Sequence, residues 1–299
     1  MSLPVFFCND MVARAQSFSP SAAKPRAVVD DWLRRGLAID IRVPTPATID
    51  DLTRAHDADY VRGVLDGRIP NGFGDRSIAV ASSLPFTSGA MLSAARHALQ
   101  NRSITCAPCS GFHHAGWDHA AGYCTFNGLV VAACALLADG ASSVGILDCD
   151  MHYGDGTDAI LARLGLGGAH GRVVHFTAGA TYSRRNQARS FLDRLPDIVG
   201  SMQRCDVVLY QAGADPHVRD PLGGFLDDDD LQRRDQIVFR TARALGLPVA
   251  WNLAGGYQRD KSGGISAVLA IHARTAEAAI DAARAPIPRV GDAAIFRAP

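Results

Sequence analysis

The sequence predicts an α/β protein with a mainly parallel central sheet flanked by helices. Two observations carry that expectation: short apolar runs rich in Val, Ile and Phe recur along the 299 residues, and longer amphipathic stretches separate them. The length is ample for a buried core, and without an internal repeat or low-complexity linker the chain reads as one domain, 1–299. A first strand is expected at Val5–Cys8, followed by helices over Arg26–Arg35, Asp57–Leu65 and Thr87–Leu99. The Gly-rich segment Ile69–Ser77 between the last two reads as a surface loop. Strand Ser103–Ala107 then leads to helix Asn127–Leu137, strand Ser143–Asp148 to helix Thr157–Leu164, and strand Arg172–Thr177 to helix Phe191–Met202. Strand Asp206–Gln211 leads to helix Asp229–Leu245, where Leu231, Ile237, Val238 and Thr241 form an apolar face behind the acidic N-cap run Asp227–Asp230. Strand Pro248–Leu253 and helix Gly264–Ala283 complete the pattern.

Thirty basic and thirty acidic side chains cancel, which argues against nucleic acid or anionic lipid as a partner. No uninterrupted apolar run approaches the roughly 20 residues of a spanning helix. The stretch Met1–Phe7 meets Cys8, Asn9 and Asp10 too early for a signal peptide. Seven cysteines without framework spacing fit a reducing compartment, so a cytoplasmic location is expected. Glu277 is the sole glutamate, and Lys24 and Lys261 are the sole lysines. That bias reads as codon usage, and it removes glutamate from catalytic proposals elsewhere in the chain.

Four segments carry chemistry. In Ile146-Leu-Asp-Cys-Asp-Met-His-Tyr-Gly-Asp-Gly156, an extended chain projects Asp148, Asp150 and His152 from one side, at a strand end where open α/β sheets place ligands. A helix N-cap explains Asp155 but not Asp148, whose burial costs several kcal/mol unless a cation or strong donor meets it. The second strand, Asp206–Gln211, runs on to Asp215, which completes an O, N, O ligand set with an open position if the two strands are neighbours. In the third, Ser110-Gly-Phe-His-His-Ala115, the histidines are either surface residues or, beside a metal, a general base and a general acid. Asp148 and Asp155 are then their natural orienting partners. In the fourth, Gly255-Gly256 permits close backbone approach and Tyr257 brings a hydroxyl able to polarise a carbonyl.

Together these segments resemble the zinc-dependent histone deacetylase superfamily, which includes acetylpolyamine amidohydrolases and acetoin-utilisation proteins. The resemblance runs from about Phe6 to about His272, with the motifs in the family's order. It implies the three-layer arginase/deacetylase-like fold and removal of an acetyl or other short acyl group from a small-molecule or acyl-lysine amine. By the same resemblance Asp150, His152 and Asp215 bind zinc, with iron(II) as the alternative. His113 and His114 form the acid–base pair held by Asp148 and Asp155, and Tyr257 polarises the carbonyl. Gly122, Tyr123 and Leu222 line the substrate tunnel. Asp148 also faces a structural potassium ion with oxygens around Asp150, His152 and Thr177. That ion would weaken the support Asp148 gives to an imidazolium, so His113 is expected to be the more readily neutral base and His114 the acid.

Departures from the family pattern bear on substrate. Tyr153 stands where a second histidine is usual, and Tyr123 where phenylalanine is usual. The Gly/Pro-rich loop after the Thr177 strand is replaced by Ala178–Asn186, in which Arg184 and Arg185 read as a solvated loop or as a rim disfavouring cations. Polyamine-selective members carry a glutamate at the tunnel mouth; here only an aspartate such as Asp75 is available. Cys106 and Cys109 read as buried, inert thiols. Two rival readings are a non-catalytic acyl-ligand-binding protein and a two-manganese ureohydrolase, the latter weakened because Asp215-Pro-His lacks a second aspartate.

Overall fold

The computed structural model describes residues 2–285. Seven strands among them form one sheet: β1 (Leu3–Phe6), β2 (Ile39–Arg42), β3 (Ile104–Ala107), β4 (Val144–Asp148), β5 (Val173–Thr177), β6 (Val207–Gln211) and β7 (Val249–Asn252). Their order is β2-β1-β3-β7-β6-β4-β5 and every pairing is parallel. The helices are α1 (Lys24–Arg34), α2 (Ile49–Thr53), α3 (Ala58–Leu65), α4 (Ile78–Asn101), α5 (Gly128–Ala138), α6 (Asp155–Arg163), α7 (Ala188–Ser201), α8 (Asp228–Ala244) and α9 (Ser266–Arg284). Helix α4 lies against β1, β3 and β7 and packs on α5, while α7, α8, α9 and α1 pack in succession on one another, giving helix, sheet and helix layers. β3, β4, β6 and β7 are buried along their whole length, which is why they read as continuous apolar runs rather than alternating ones. Trp32 of α1 and Trp251 of β7, both fully buried, meet with ring centroids 5.8 Å apart.

All six expected strands form, with ends displaced by one or two residues. β2 and α2 were not expected. β2 is an edge strand whose Ile-Asp-Ile-Arg sequence is half exposed, and α2 is five residues closed by a Thr48–Asp51 capping box. Helix α4 begins at Ile78, nine residues before the expected start, because Ser77 caps it through Val80 N–H and Pro85 is accommodated inside. The Pro85 carbonyl accepts the Ala47 N–H at 2.8 Å. By length and composition α4 would suffice to cross a membrane, but more than half of its most apolar window is buried against the rest of the protein.

The acidic run before α8 caps it as expected. Asp227 accepts the N–H groups of Asp229 (3.1 Å) and Asp230 (2.9 Å), and Asp230 returns a bond to the Asp227 N–H. Arg185 binds both carboxylates from the loop after β5. Replacing Asp227 by Ala should therefore destabilise the protein by about 1–2 kcal/mol, seen as a lower melting temperature in calorimetry; an unchanged melt would show the cap to be redundant.

Candidate active site

Four strands, β3, β7, β6 and β4, lie side by side at the centre of the sheet. Their carboxyl ends are in register, Ala107 opposite Asn252, Asn252 opposite Gln211, and Gln211 opposite Asp148. The four chemistry-bearing segments leave the sheet from these ends and meet at one edge, the position open parallel sheets use for ligands.

Asp150, His152 and Asp215 come together there, with one potential ligand atom from each lying within 4.8 Å of the others. His152 Nδ1 lies 3.3 Å from Asp150 Oδ1 and 3.2 Å from Asp215 Oδ2. Asp150 Oδ2 accepts the Gly255 N–H at 2.8 Å, and Asp215 Oδ1 accepts the Met151 N–H at 3.2 Å. Asp215 Oδ2 is buried and has no aligned hydrogen bond, although His152 is close. Burial pushes both carboxyls up; Asp215, also repelled by Asp150, reaches about 7, whereas His113 and His152 hold Asp150 well below the usual range. His152 is raised to about 11 by the two carboxylates. Two buried carboxylates, one with an orphaned oxygen, thus demand positive charge at one point, and an O, N, O donor set of this kind fits a divalent transition metal. Beneath them the buried Arg234 of α8 pairs with Asp235 and donates to the carbonyls of Cys149 (3.2 Å) and Gly213 (2.7 Å), holding the ends of β4 and β6 together.

The tandem histidines stand next to this cluster, their ring centroids 4.1 Å apart. His113 Nδ1 and Asp148 Oδ2 are 2.7 Å apart, as are His114 Nδ1 and Asp155 Oδ1. Asp148 uses its other oxygen to accept the Asp150 N–H (3.0 Å) and Gln211 Nε2 (3.2 Å). The N-terminus of α6 braces the loop, with the Thr157 N–H donating to the His113 carbonyl. In the metal-free protein the surrounding charges favour the imidazolium on His113 over His114, opposite to the order expected with a cation beside Asp148. Burial lowers His113, but Asp148 and Asp150 outweigh it and raise it to about 9. His114 is lowered by burial and by the adjacent His113, and Asp155 only partly restores it. The family resemblance implied one carboxylate for each histidine; the tertiary structure adds Asp150 and Asp215 to the side of His113.

Tyr257 sits on the loop after β7, which passes directly over the carboxylates. A Cβ on Gly255 would lie 1.9 Å from Asp215 Oδ2, so no other residue fits there. The buried Lys24 of α1 supports the loop from below, donating to the Ala254 (2.6 Å) and Gly255 (3.3 Å) carbonyls. The Tyr257 ring meets Tyr123 (centroids 5.8 Å) and stacks on Phe18 (6.2 Å), and Phe73 from the expected Gly-rich loop meets Tyr123 (6.1 Å). Gly122 is in the left-handed region at φ +52°, and a Cβ there would strike the His114 ring at 2.4 Å. Leu222 is partly exposed on the loop after β6.

Other expected residues are placed as follows. Arg184 and Arg185 lie on an exposed loop, as expected, and Arg185 there pairs with Asp227 and Asp230. Asp75 uses one oxygen to accept from Asn71 Nδ2 and the Ser77 N–H, closing its own turn. Tyr153 donates to Asp158 at 2.6 Å, away from the carboxylate cluster. Cys106 and Cys109 are fully buried, and burial raises both thiols. Sequence reasoning missed Lys24, Phe18, Gln211 and Arg234. Only Lys24 left a signal, as one of two lysines in a chain that otherwise uses arginine.

A family model described as a histone deacetylase domain matches residues 20–177, just over half of the chain. The chain belongs to the histone deacetylase family. An uncharacterized protein of Picosynechococcus sp. is 29% identical over 70% of this chain and 76% of its own length. Acetylpolyamine amidohydrolase 2 of Pseudomonas aeruginosa is 28% identical over half of each chain, so the match spans only about half of that relative's length. The crystal structure of acetylpolyamine aminohydrolase from Burkholderia pseudomallei superposes with a TM-score of 0.70 at 18% identity, covering 93% of this chain and 98% of that one. That likeness carries the fold: a three-layer deacetylase-like α/β architecture around an all-parallel sheet.

Proposed function

We propose that this histone deacetylase family member is a metal-dependent amidohydrolase that removes an acetyl or other short acyl group from an acylated amine, either a small molecule or an acyl-lysine. The observation that carries the reading is the meeting of three unlike devices at one sheet edge: the Asp150–His152–Asp215 cluster, two aspartate-backed histidines, and a tyrosine on a loop pressed against the carboxylates. A binding protein has no need of proton-transfer residues in that arrangement. Zinc or iron(II) held by Asp150, His152 and Asp215 would lower the pKa of a water and polarise the acyl carbonyl. His114, neutral at pH 7 and with Nδ1–H directed to Asp155, offers Nε2 as the acceptor of the water proton and later returns a proton to the leaving amine. His113, held by Asp148, supplies positive charge beside the developing oxyanion. Tyr257 donates its hydroxyl to the acyl oxygen, with Gly122, Tyr123 and Leu222 lining the channel for the alkyl chain. The same reading keeps a structural potassium ion beside Asp148 and Thr177.

The pH dependence follows from His114. Its base form is lost as pH falls through a pKa below the ordinary 6.5, so the acidic limb of kcat/KM should lie below that value. Asp155 raises the His114 pKa; Asp155→Asn should therefore move the limb to still lower pH while lowering kcat roughly 10–100-fold. A limb that moves upward, or not at all, would remove His114 from the role of base. The reading as a whole is tested by screening acetyl-lysine peptides, acetylated polyamines and small N-acyl metabolites against the metal-loaded protein. Turnover of none of them would reject it.

A further inference from the structure

We infer that Asp220 is a positioning residue whose carboxylate ties the loop carrying Leu222 to the loop carrying Tyr257, so that seating of the acyl amine and placement of the tyrosine share one anchor. The inference rests on the reading of Tyr257 as the carbonyl-polarising group. Asp220 is buried, and its two oxygens serve different loops: Oδ1 accepts the Leu222 N–H at 3.0 Å, and Oδ2 accepts the Tyr257 N–H at 2.8 Å. Those loops follow β6 and β7, and the second bond spans 37 residues of sequence. A carboxylate has two acceptor atoms, whereas an amide has one and sets an NH2 group against the other N–H.

The Tyr257 loop has reason to need such an anchor. Ala254 lies at φ +49°, where a residue with a Cβ is disfavoured, so the turn is held rather than relaxed. Lys24 holds the carbonyls of Ala254 and Gly255, and Asp150 holds the Gly255 N–H. Both of those anchors lie before the tyrosine. Asp220 acts at the Tyr257 backbone itself, and the Phe18 and Tyr123 rings then flank the side chain. Asp220 is itself fixed in a tight turn, its N–H donating to the His217 carbonyl at 2.8 Å and its carbonyl accepting the Gly223 N–H at 3.2 Å. A shift of Leu222 by substrate is thus passed to Tyr257 through one side chain.

The test is a double-mutant cycle of Asp220→Asn and Tyr257→Phe on the metal-loaded protein with a fluorogenic acetyl-lysine peptide. It is paired with hydrogen exchange of the metal-free protein over 220–224 and 253–258. Asp220→Asn alone should lower kcat roughly 10–100-fold, as for an ångström-scale misplacement of a reacting group. In the Tyr257→Phe background it should cost little more, and exchange should rise in both segments. Asp220→Ser is the second variant, since its hydroxyl can remake the local turn to Leu222 but cannot reach Tyr257. It should speed exchange at 253–258 only. Equal losses in both backgrounds, or unchanged exchange at 253–258, would overturn the inference. If neither this peptide nor any of the acylated amines screened above is turned over, or if Tyr257→Phe itself leaves kcat intact, the functional reading fails instead, and the exchange result alone decides the role of Asp220.

Discussion

Replacing Asp215 with Ala should abolish binding at the proposed metal site and lower turnover by roughly three orders of magnitude or more, the equivalent of several kcal/mol of charge stabilisation. Asp215 is fully buried and its Oδ2 has no hydrogen bond, so its charge is tolerable only opposite a cation. Removing it leaves Asp150 and His152, too few ligands for a catalytic site. Elemental analysis of the purified variant reads the metal directly, and added zinc or iron(II) should restore a chelated wild type but not the variant. Ligand binding also stabilises the folded state, so metal should raise the melting temperature of the wild type alone. An Asp215→Ala protein with full metal occupancy and undiminished rate would refute the ligand assignment.

Tyr257→Phe should lower kcat about 10²–10³-fold, or roughly 3–4 kcal/mol, with little change in KM or metal content. A hydroxyl that strengthens its bond as the carbonyl becomes an oxyanion acts mainly in the transition state, and its loss appears in kcat. The ring is fixed between Phe18 and Tyr123, so the phenylalanine variant keeps its packing and loses only the donor. Burial and the carboxylates of Asp215 and Asp150 raise the phenol far above its ordinary value, so it stays a hydrogen-bond donor at any working pH. Steady-state kinetics showing a normal kcat with KM alone raised would make Tyr257 a pocket wall and leave the proposed metal site and His113 to polarise the carbonyl.

Much of the molecule was legible in the sequence because its signals are local. The buried strands announce themselves as apolar runs, since both faces of a parallel sheet are covered. The run Asp148, Asp150 and His152 marks the end of β4 as a site of chemistry, although the chain bends from Asp150 on, so that Asp150 and His152 join Asp215 while Asp148 turns to His113. The Gly255-Gly256 pair likewise marks a close backbone approach. Strand β2 was missed because half of it faces solvent and its charges mask the pattern, and the start of α4 because Pro85 reads as a boundary.

What the sequence by itself determined, then, is which chemical groups stand at which strand ends. Only the tertiary structure decided that those ends are adjacent. Asp215 reaches Asp150 because β6 lies beside β4, and the Tyr257 loop meets both at Gly255 because β7 lies beside β6. It also decided that Lys24, in the sequence only one of two lysines, is buried under the tyrosine loop, and that Asp220 bonds across to Tyr257. The reversed order of His113 and His114 has the same origin. A histidine's neighbour along the chain is set by covalent spacing, but its protonation is set by every charge within a few ångströms. For His113 those charges are Asp148 and Asp150 at the end of β4 and Asp215 beyond the end of β6.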